Sequence, residues 1–141
     1  MSRLHWDACK PEYLAAYPVT QDVLPIIEQY GKTAIDDKGP VFSIGLFPHR
    51  EGIFDVWATV NAIGRIRRHS VTLIRDVTAF MHVYVKEYPI RRLQAFVNPY
   101  HDAGIKFAEF YGFEKEGLLR AYGDNGEDLL LFSRIFDDGD S

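Results

Sequence analysis

Residues 103–122 read AGIKFAEFYGFEKEGLLRAY, and the way this stretch divides decides what the rest of the chain must build. Gly112 closes a helix over Asp102 to Tyr111, because glycine accepts the left-handed backbone that ends many helices. Phe113 to Ala121 then reads as a strand, and Asp128 to Phe136 as its partner, joined through Gly123-Asp124-Asn125-Gly126 as a hairpin. Just upstream, Leu93 to Val97 is a short apolar run between Arg91-Arg92 and Asn98-Pro99, the pattern of a buried strand.

Before that strand, Val71, Ile74, Val77, Met81, Val85 and Tyr88 recur every three or four residues, and Leu73, Phe80 and Tyr84 widen the stripe. This predicts a long helix from Ser70 to Tyr88, stopped by Pro89, with Ile74 and Val77 facing a core that also holds Phe113. Ile53 to Asn61 alternates, with Ile53, Asp55, Trp57 and Thr59 on one face and Phe54, Val56, Ala58 and Val60 on the other. So few charges predict a central strand. A helix crossing over from this strand to Leu93–Val97 makes the two parallel.

Towards the N-terminus, Leu4 to Ala8 reads as a short edge strand, and Pro11-Glu12 opens a short helix running to Tyr17 and stopped by Pro18. Thr20 caps a second helix with Asp22 in its first turn and Pro25 near its start, ended by Gly31. Lys32 to Asp36 and Val41 to Phe47 are strands around an Asp-Asp-Lys-Gly-Pro turn, and Pro48 to Gly52 makes the next turn. The fold class is therefore α/β, a mixed sheet in one domain over residues 1–136, with a short acidic tail at 137–141.

Composition narrows the function classes. With 141 residues, 47% hydrophobic and 26% charged, the chain suits one ordinary core. A net charge of -4 argues against wholesale binding of nucleic acid or an anionic membrane, so any anion site must be local. Cys9 is the single cysteine, which leaves no intrachain disulfide, and no Cys/His set has zinc spacing. No apolar run approaches the roughly 20 residues of a membrane span, and the first residues lack a signal-peptide core, so a soluble cytoplasmic protein is expected.

Residues 103–122, above all Gly112-Phe113 followed by Glu116-Gly117, resemble the C-terminal motif of the GNAT acetyltransferases. The element order is similar to the whole GNAT fold, a mostly antiparallel sheet with one parallel, splayed strand pair and helices on both faces. The resemblance implies an acetyl-CoA-dependent N-acyltransferase whose acceptor is an amine on a small molecule or a protein. It places the pantetheine arm beside the splayed strands, with main chain around Val60, Asn61 and Ala62 at the thioester, and needs no metal. The family's diphosphate motif is Gln or Arg, any two residues, Gly, any residue, then Gly or Ala, and the matching stretch is Arg65-Ile66-Arg67-Arg68-His69-Ser70.

The chain departs from the family pattern at specific positions. Arg68 stands where the motif has its first glycine, and a β-carbon there obstructs close backbone approach to an anion. Arg65, Arg67, Arg68, His69 and Arg75 still concentrate positive charge at a helix start. Ala108 replaces the tyrosine that many members place four residues before the Gly-Phe glycine to protonate the leaving thiolate, and Tyr111 does not inherit that place. His101 replaces a frequent asparagine at the helix start; its imidazole could bond a cofactor amide or simply sit beside the helix cap. For a general base the chain offers Asp55, with Glu51 and His49 nearby, and a hydrogen-bonding structural role competes for Asp55. These departures admit a second reading, a GNAT-shaped protein without transferase activity. The chain is similar in length and element order to small internal virion proteins of short-tailed phages, which would make phage structural proteins its partners.

Overall fold

A computed structural model describes residues 3–14 and 21–136. The elements, in chain order, are β1 (His5–Ala8), a 3-10 turn (Pro11–Leu14), α1 (Leu24–Tyr30), β2 (Lys32–Asp36), β3 (Gly39–Arg50), β4 (Ile53–Val60), α2 (Ile63–Ile66), a second 3-10 turn (Arg67–His69), α3 (Ser70–Glu87), β5 (Arg92–Val97), α4 (Asp102–Phe110), β6 (Glu114–Leu119) and β7 (Leu129–Ile135). The strands form one seven-stranded sheet in the order β1-β2-β3-β4-β5-β7-β6. The pairings β1–β2, β2–β3, β5–β7 and β6–β7 are antiparallel, and β4–β5 is parallel, as the crossover through α3 demands. The parallel ladder runs from Ile53↔Arg92 to Asp55↔Gln94. The chain divides into two compact units, Met1–Phe47 with Val56–Phe80 and Pro48–Asp55 with Met81–Ser141, through both of which β3, β4 and α3 run.

In the first unit, a cluster of Cys9, Leu14 and Ile27 is joined by Tyr13, Val23 and Trp57. Trp57 lies so close over Gly45 that a β-carbon there would stand 2.5 Å from the indole. The indole is thus part of the packing, and a side chain at residue 45 would evict it. Trp6 of β1 meets α3 twice: its Nε1 donates to Asp76 at 2.9 Å, and its ring stands edge-on to Phe80 with centroids 4.8 Å apart. Both contacts fall beside the buried stripe of α3, and edge-on ring pairs of this kind add to the packing.

In the second unit, Leu93, Phe113, Phe132 and Phe136 are buried, and the Tyr88 ring packs near Phe54, centroids 6.1 Å apart. Helix α4 ends as the sequence predicts. Gly112 takes φ +83°, its N–H bonds Glu109 O, and the Phe113 N–H reaches back to Ala108 O at 3.0 Å. That pair of bonds is a Schellman closure, which only a residue at ease with positive φ permits.

Three expectations need correction. Strand β3 continues through Arg50, so only Glu51 and Gly52 remain for the turn. Pro48 is tolerated inside a strand wherever its missing N–H is not needed by a ladder. Helix α1 begins at Leu24 after Val23, which leaves Asp22 outside its first turn. The buried stripe of α3 is Leu73, Val77, Met81 and Tyr84, whereas Val71 is 81% and Ile74 42% exposed. The helix is apolar over more than half its circumference, and periodicity alone cannot phase such a helix. The expected helix end at Tyr17, the Pro18 stop, the Thr20 cap and the 137–141 tail lie outside the described residues.

Candidate functional site

Strand β4 ends in a knot. The N–H groups of Asn61 and Ala62 both donate to Val41 O, at 2.8 and 3.2 Å, a two-against-one arrangement that marks a bulge. The Asn61 side chain accepts from Ser43 Oγ at 2.9 Å and donates through Nδ2 to Tyr13 O at 2.6 Å, while Ser43 and Thr33 share a further bond at 2.9 Å. Asn61 is thus committed to the fold by its main chain and by both ends of its amide. Val60 is different. Alternation along a strand turns its N–H and C=O, and those of Ala58, to the edge of β4 away from β3. The Val60 side chain is exposed.

The stretch Arg65 to Ser70 is not an open loop. It runs as helical turns into α3, with the Arg65 and Ile66 N–H groups bonded to Ala62 O. Both Ser70 donors, its N–H and its Oγ at 2.7 Å, are spent on Arg67 O. Arg65 Nε donates to Asp36 Oδ2 at 3.0 Å, and Arg65 Nη2 donates to the carbonyls of Gly39 and Pro40 at 3.3 and 3.1 Å. His69 is buried with Nε2 3.1 Å from the same Asp36 oxygen, an arrangement that requires the proton on Nε2. Arg68 Nη2 stands 4.0 Å from it, whereas Arg67 is exposed. Burial pushes the Asp36 carboxyl up, but the Lys38 N–H, Arg65 and His69 outweigh it and hold it far below the ordinary carboxylate range.

Asp55 sits at the end of a polar row that no sequence pattern announces. Gln94 Nε2 donates to Asp55 Oδ1 at 2.8 Å, Arg92 Nε donates to Gln94 Oε1 at 3.0 Å, and Arg92 clasps Glu116 with bonds of 2.7 and 2.8 Å. Ser133 Oγ completes the row by donating to Glu116. Because arginine only donates, the Gln94 amide can point only one way, and Asp55 accepts. The Arg92 bonds, followed by the Ser133 hydroxyl, hold the Glu116 carboxyl down to about 2.

These two carboxylates predict how stability responds to acid. A group whose pKa is lower in the folded than in the unfolded state contributes stability that is fully present above its unfolded value and is lost as pH falls through the folded one. The ordinary values are 4.5 for Glu116 and 3.8 for Asp36, so the unfolding free energy should stay level at neutral pH and decline from just above 4.5 towards 2. Denaturant melts across that range test this, with Glu116→Gln expected to flatten the decline. An identical slope in the variant would show that Glu116 takes no part.

His101 is the N-cap residue of α4 without a side-chain capping bond, and a β-carbon at Gly104 would stand 2.7 Å from its Nδ1. The imidazole folds over the first turn of its own helix. Ala108 is buried, and a methyl group there offers no proton. Tyr111 accepts a 3.0 Å bond from Arg134 Nη1 on its carbonyl oxygen.

Among solved structures, the chain is similar to Ard1 from Thermoplasma volcanium, with a TM-score of 0.74, 16% identity, and coverage of 96% of this chain and 99% of that one. An acetyltransferase of the GNAT family from Streptococcus pneumoniae superposes with a TM-score of 0.70 at 14% identity, covering 96% of this chain and all of its counterpart. This is the GNAT fold. Arabidopsis thaliana Naa50, solved in complex with the bisubstrate analogue CoA-Ac-MVNAL, matches with a TM-score of 0.66 and 19% identity over 94% of this chain and 99% of that one. No protein-family model and no curated protein sequence matches the chain, so the GNAT likeness rests on shape. Among the described residues no helix is long and apolar enough to cross a membrane, and no group of three or more His, Cys, Asp or Glu could hold a metal ion.

Within this GNAT fold the expected site residues divide by what they have left to offer. Asn61, Ala62, Arg65, His69 and Ser70 spend the polar groups described above on the protein itself, and so fit a backbone cradle for a diphosphate poorly. Val60, Arg67 and Arg68 retain an edge and two exposed guanidinium groups, which fit an extended pantetheine and a diphosphate met by side chains.

Proposed function

We propose that the chain is an N-acyltransferase of the GNAT type that takes acetyl-CoA by its pantetheine arm along the edge of β4 at Ala58 and Val60. Arg67 and Arg68 meet the diphosphate as side chains. The observation that carries this reading is the short parallel ladder: it ends at Asp55↔Gln94, while β4 continues to Val60 with main-chain groups turned away from β3. An amide-bearing chain can add to such an edge as a strand would. Acetyl-CoA supplies the acetyl thioester, and an amine is the acceptor. The chain's own part is to orient the thioester by main-chain bonds. Ala108 leaves the thiolate's proton to come from elsewhere, and Asp55 is held as an acceptor by Gln94.

A second reading is favoured by the inward commitment of Arg65, His69 and Ser70 together with Ala108: a GNAT-shaped assembly protein without transferase activity, in the manner of the internal virion proteins of short-tailed phages. Calorimetric titration with acetyl-CoA separates the two. Roughly micromolar affinity, weakened several-fold by moderate salt and again by Arg67→Glu, is expected if diphosphate is held by exposed guanidinium groups. No heat and no thermal shift at millimolar acetyl-CoA would overturn the transferase and leave the assembly role.

A further inference from the structure

Three hydrogen-bond donors and a more distant guanidinium converge on one buried carboxylate. Asp36 Oδ2 lies 3.0 Å from Arg65 Nε, 3.1 Å from His69 Nε2 and 4.0 Å from Arg68 Nη2, and Asp36 Oδ1 accepts the Lys38 N–H at 2.9 Å. The carboxylate side chain is wholly inaccessible to solvent, and Arg65 keeps 23% of its side chain exposed. One negative charge thus faces two guanidinium groups and an imidazole N–H, with its two oxygens bonded separately, as two oxygens of a phosphate would be.

Arg65 has anchors besides Asp36, whereas the Lys38 N–H is held by the Asp36 carboxylate itself. Arg65 is also tied to the carbonyls of Gly39 and Pro40, and His69 is carried by the 3-10 turn that leads into α3. The Lys38 N–H belongs to the turn between β2 and β3. We infer that Arg65, Arg68, His69 and the Lys38 N–H form an oxyanion site in which Asp36 is the resident ligand, and which takes free phosphate once that carboxylate is removed. Taking away the carboxylate leaves a partly buried guanidinium without its counter-charge, a state that strongly favours uptake of another anion. Arg68 is shared with the diphosphate contact proposed above, whereas Arg65, His69 and the Lys38 N–H are spent on Asp36 and take no part in that contact.

The test uses inorganic phosphate as the probe, titrated at constant ionic strength against sodium chloride, with melting temperature as the readout. Asp36→Ala, which removes the charge and leaves room, should melt below the wild type and recover as phosphate is added, with an apparent affinity at least about tenfold tighter than that of the wild type. Asp36→Asn removes the charge but fills the space, and should respond little. Asp36→Ala combined with Arg65→Met should lose the response. Should Asp36→Ala fold only when phosphate is present, the refolding yield in phosphate over that in chloride replaces the melting temperature, and a higher yield supports the site. An equal response in wild type and Asp36→Ala would move the anion to exposed arginines and overturn the inference. So would a folded Asp36→Ala protein indifferent to phosphate, or a response that survives loss of Arg65.

Discussion

Replacing Phe113 with alanine should lower the unfolding free energy by about 3–5 kcal/mol, the range for deleting a buried aromatic side chain. Phe113 is 6% exposed and follows the glycine that closes α4, so its ring is aimed by a backbone that cannot easily rotate away. The Phe113 N–H is bonded to Ala108 O, which holds the residue in place and leaves the emptied space to collapse only in part. Urea melts with unchanged slope and a shifted midpoint would report this loss cleanly. A loss under about 1 kcal/mol would mean that the ring is not part of the core.

Leu93→Ala should cost about 2–5 kcal/mol, because Leu93 is 0% exposed and stands opposite Phe54 in the parallel ladder and Arg134 in the antiparallel one. A strand paired on both sides has little freedom to close a void. The informative comparison is Val71→Ala on α3, where 81% exposure predicts a change within about 0.5 kcal/mol of zero. A large loss at Val71 with a small one at Leu93 would reverse the assignment of inside and outside in both elements.

Much of the architecture was legible because its signals are short-range. A glycine after Tyr111 and an aromatic at Phe113 end a helix and start a strand whatever lies elsewhere, and a crossover helix between two strands leaves only one sense of pairing. Bounds that depend on neighbours were less legible. Pro48 looked like the start of a turn, yet β3 carries it within a strand. Ile74 looked like core on a helix that is apolar over more than half its circumference, yet the structure buries Leu73 and Val77 and leaves Ile74 42% exposed.

The candidate site was legible only as a set of residue types. Charge at Arg65 to Ser70 and a carboxylate at Asp55 can be read from the chain, but what those groups do depends on partners far away in sequence. Asp36 is 29 residues from Arg65, and Gln94 is 39 from Asp55. The amino-acid sequence by itself determined the order of the strands, the parallel strand pair and the closure of α4, since each follows from backbone preference and hydrophobic period within a few residues. Only the tertiary structure decided that Asp36 claims the arginine and histidine of the expected phosphate motif and that Gln94 holds Asp55. A buried charge takes whichever partner the folded chain brings within hydrogen-bonding distance, and no local rule names that partner in advance.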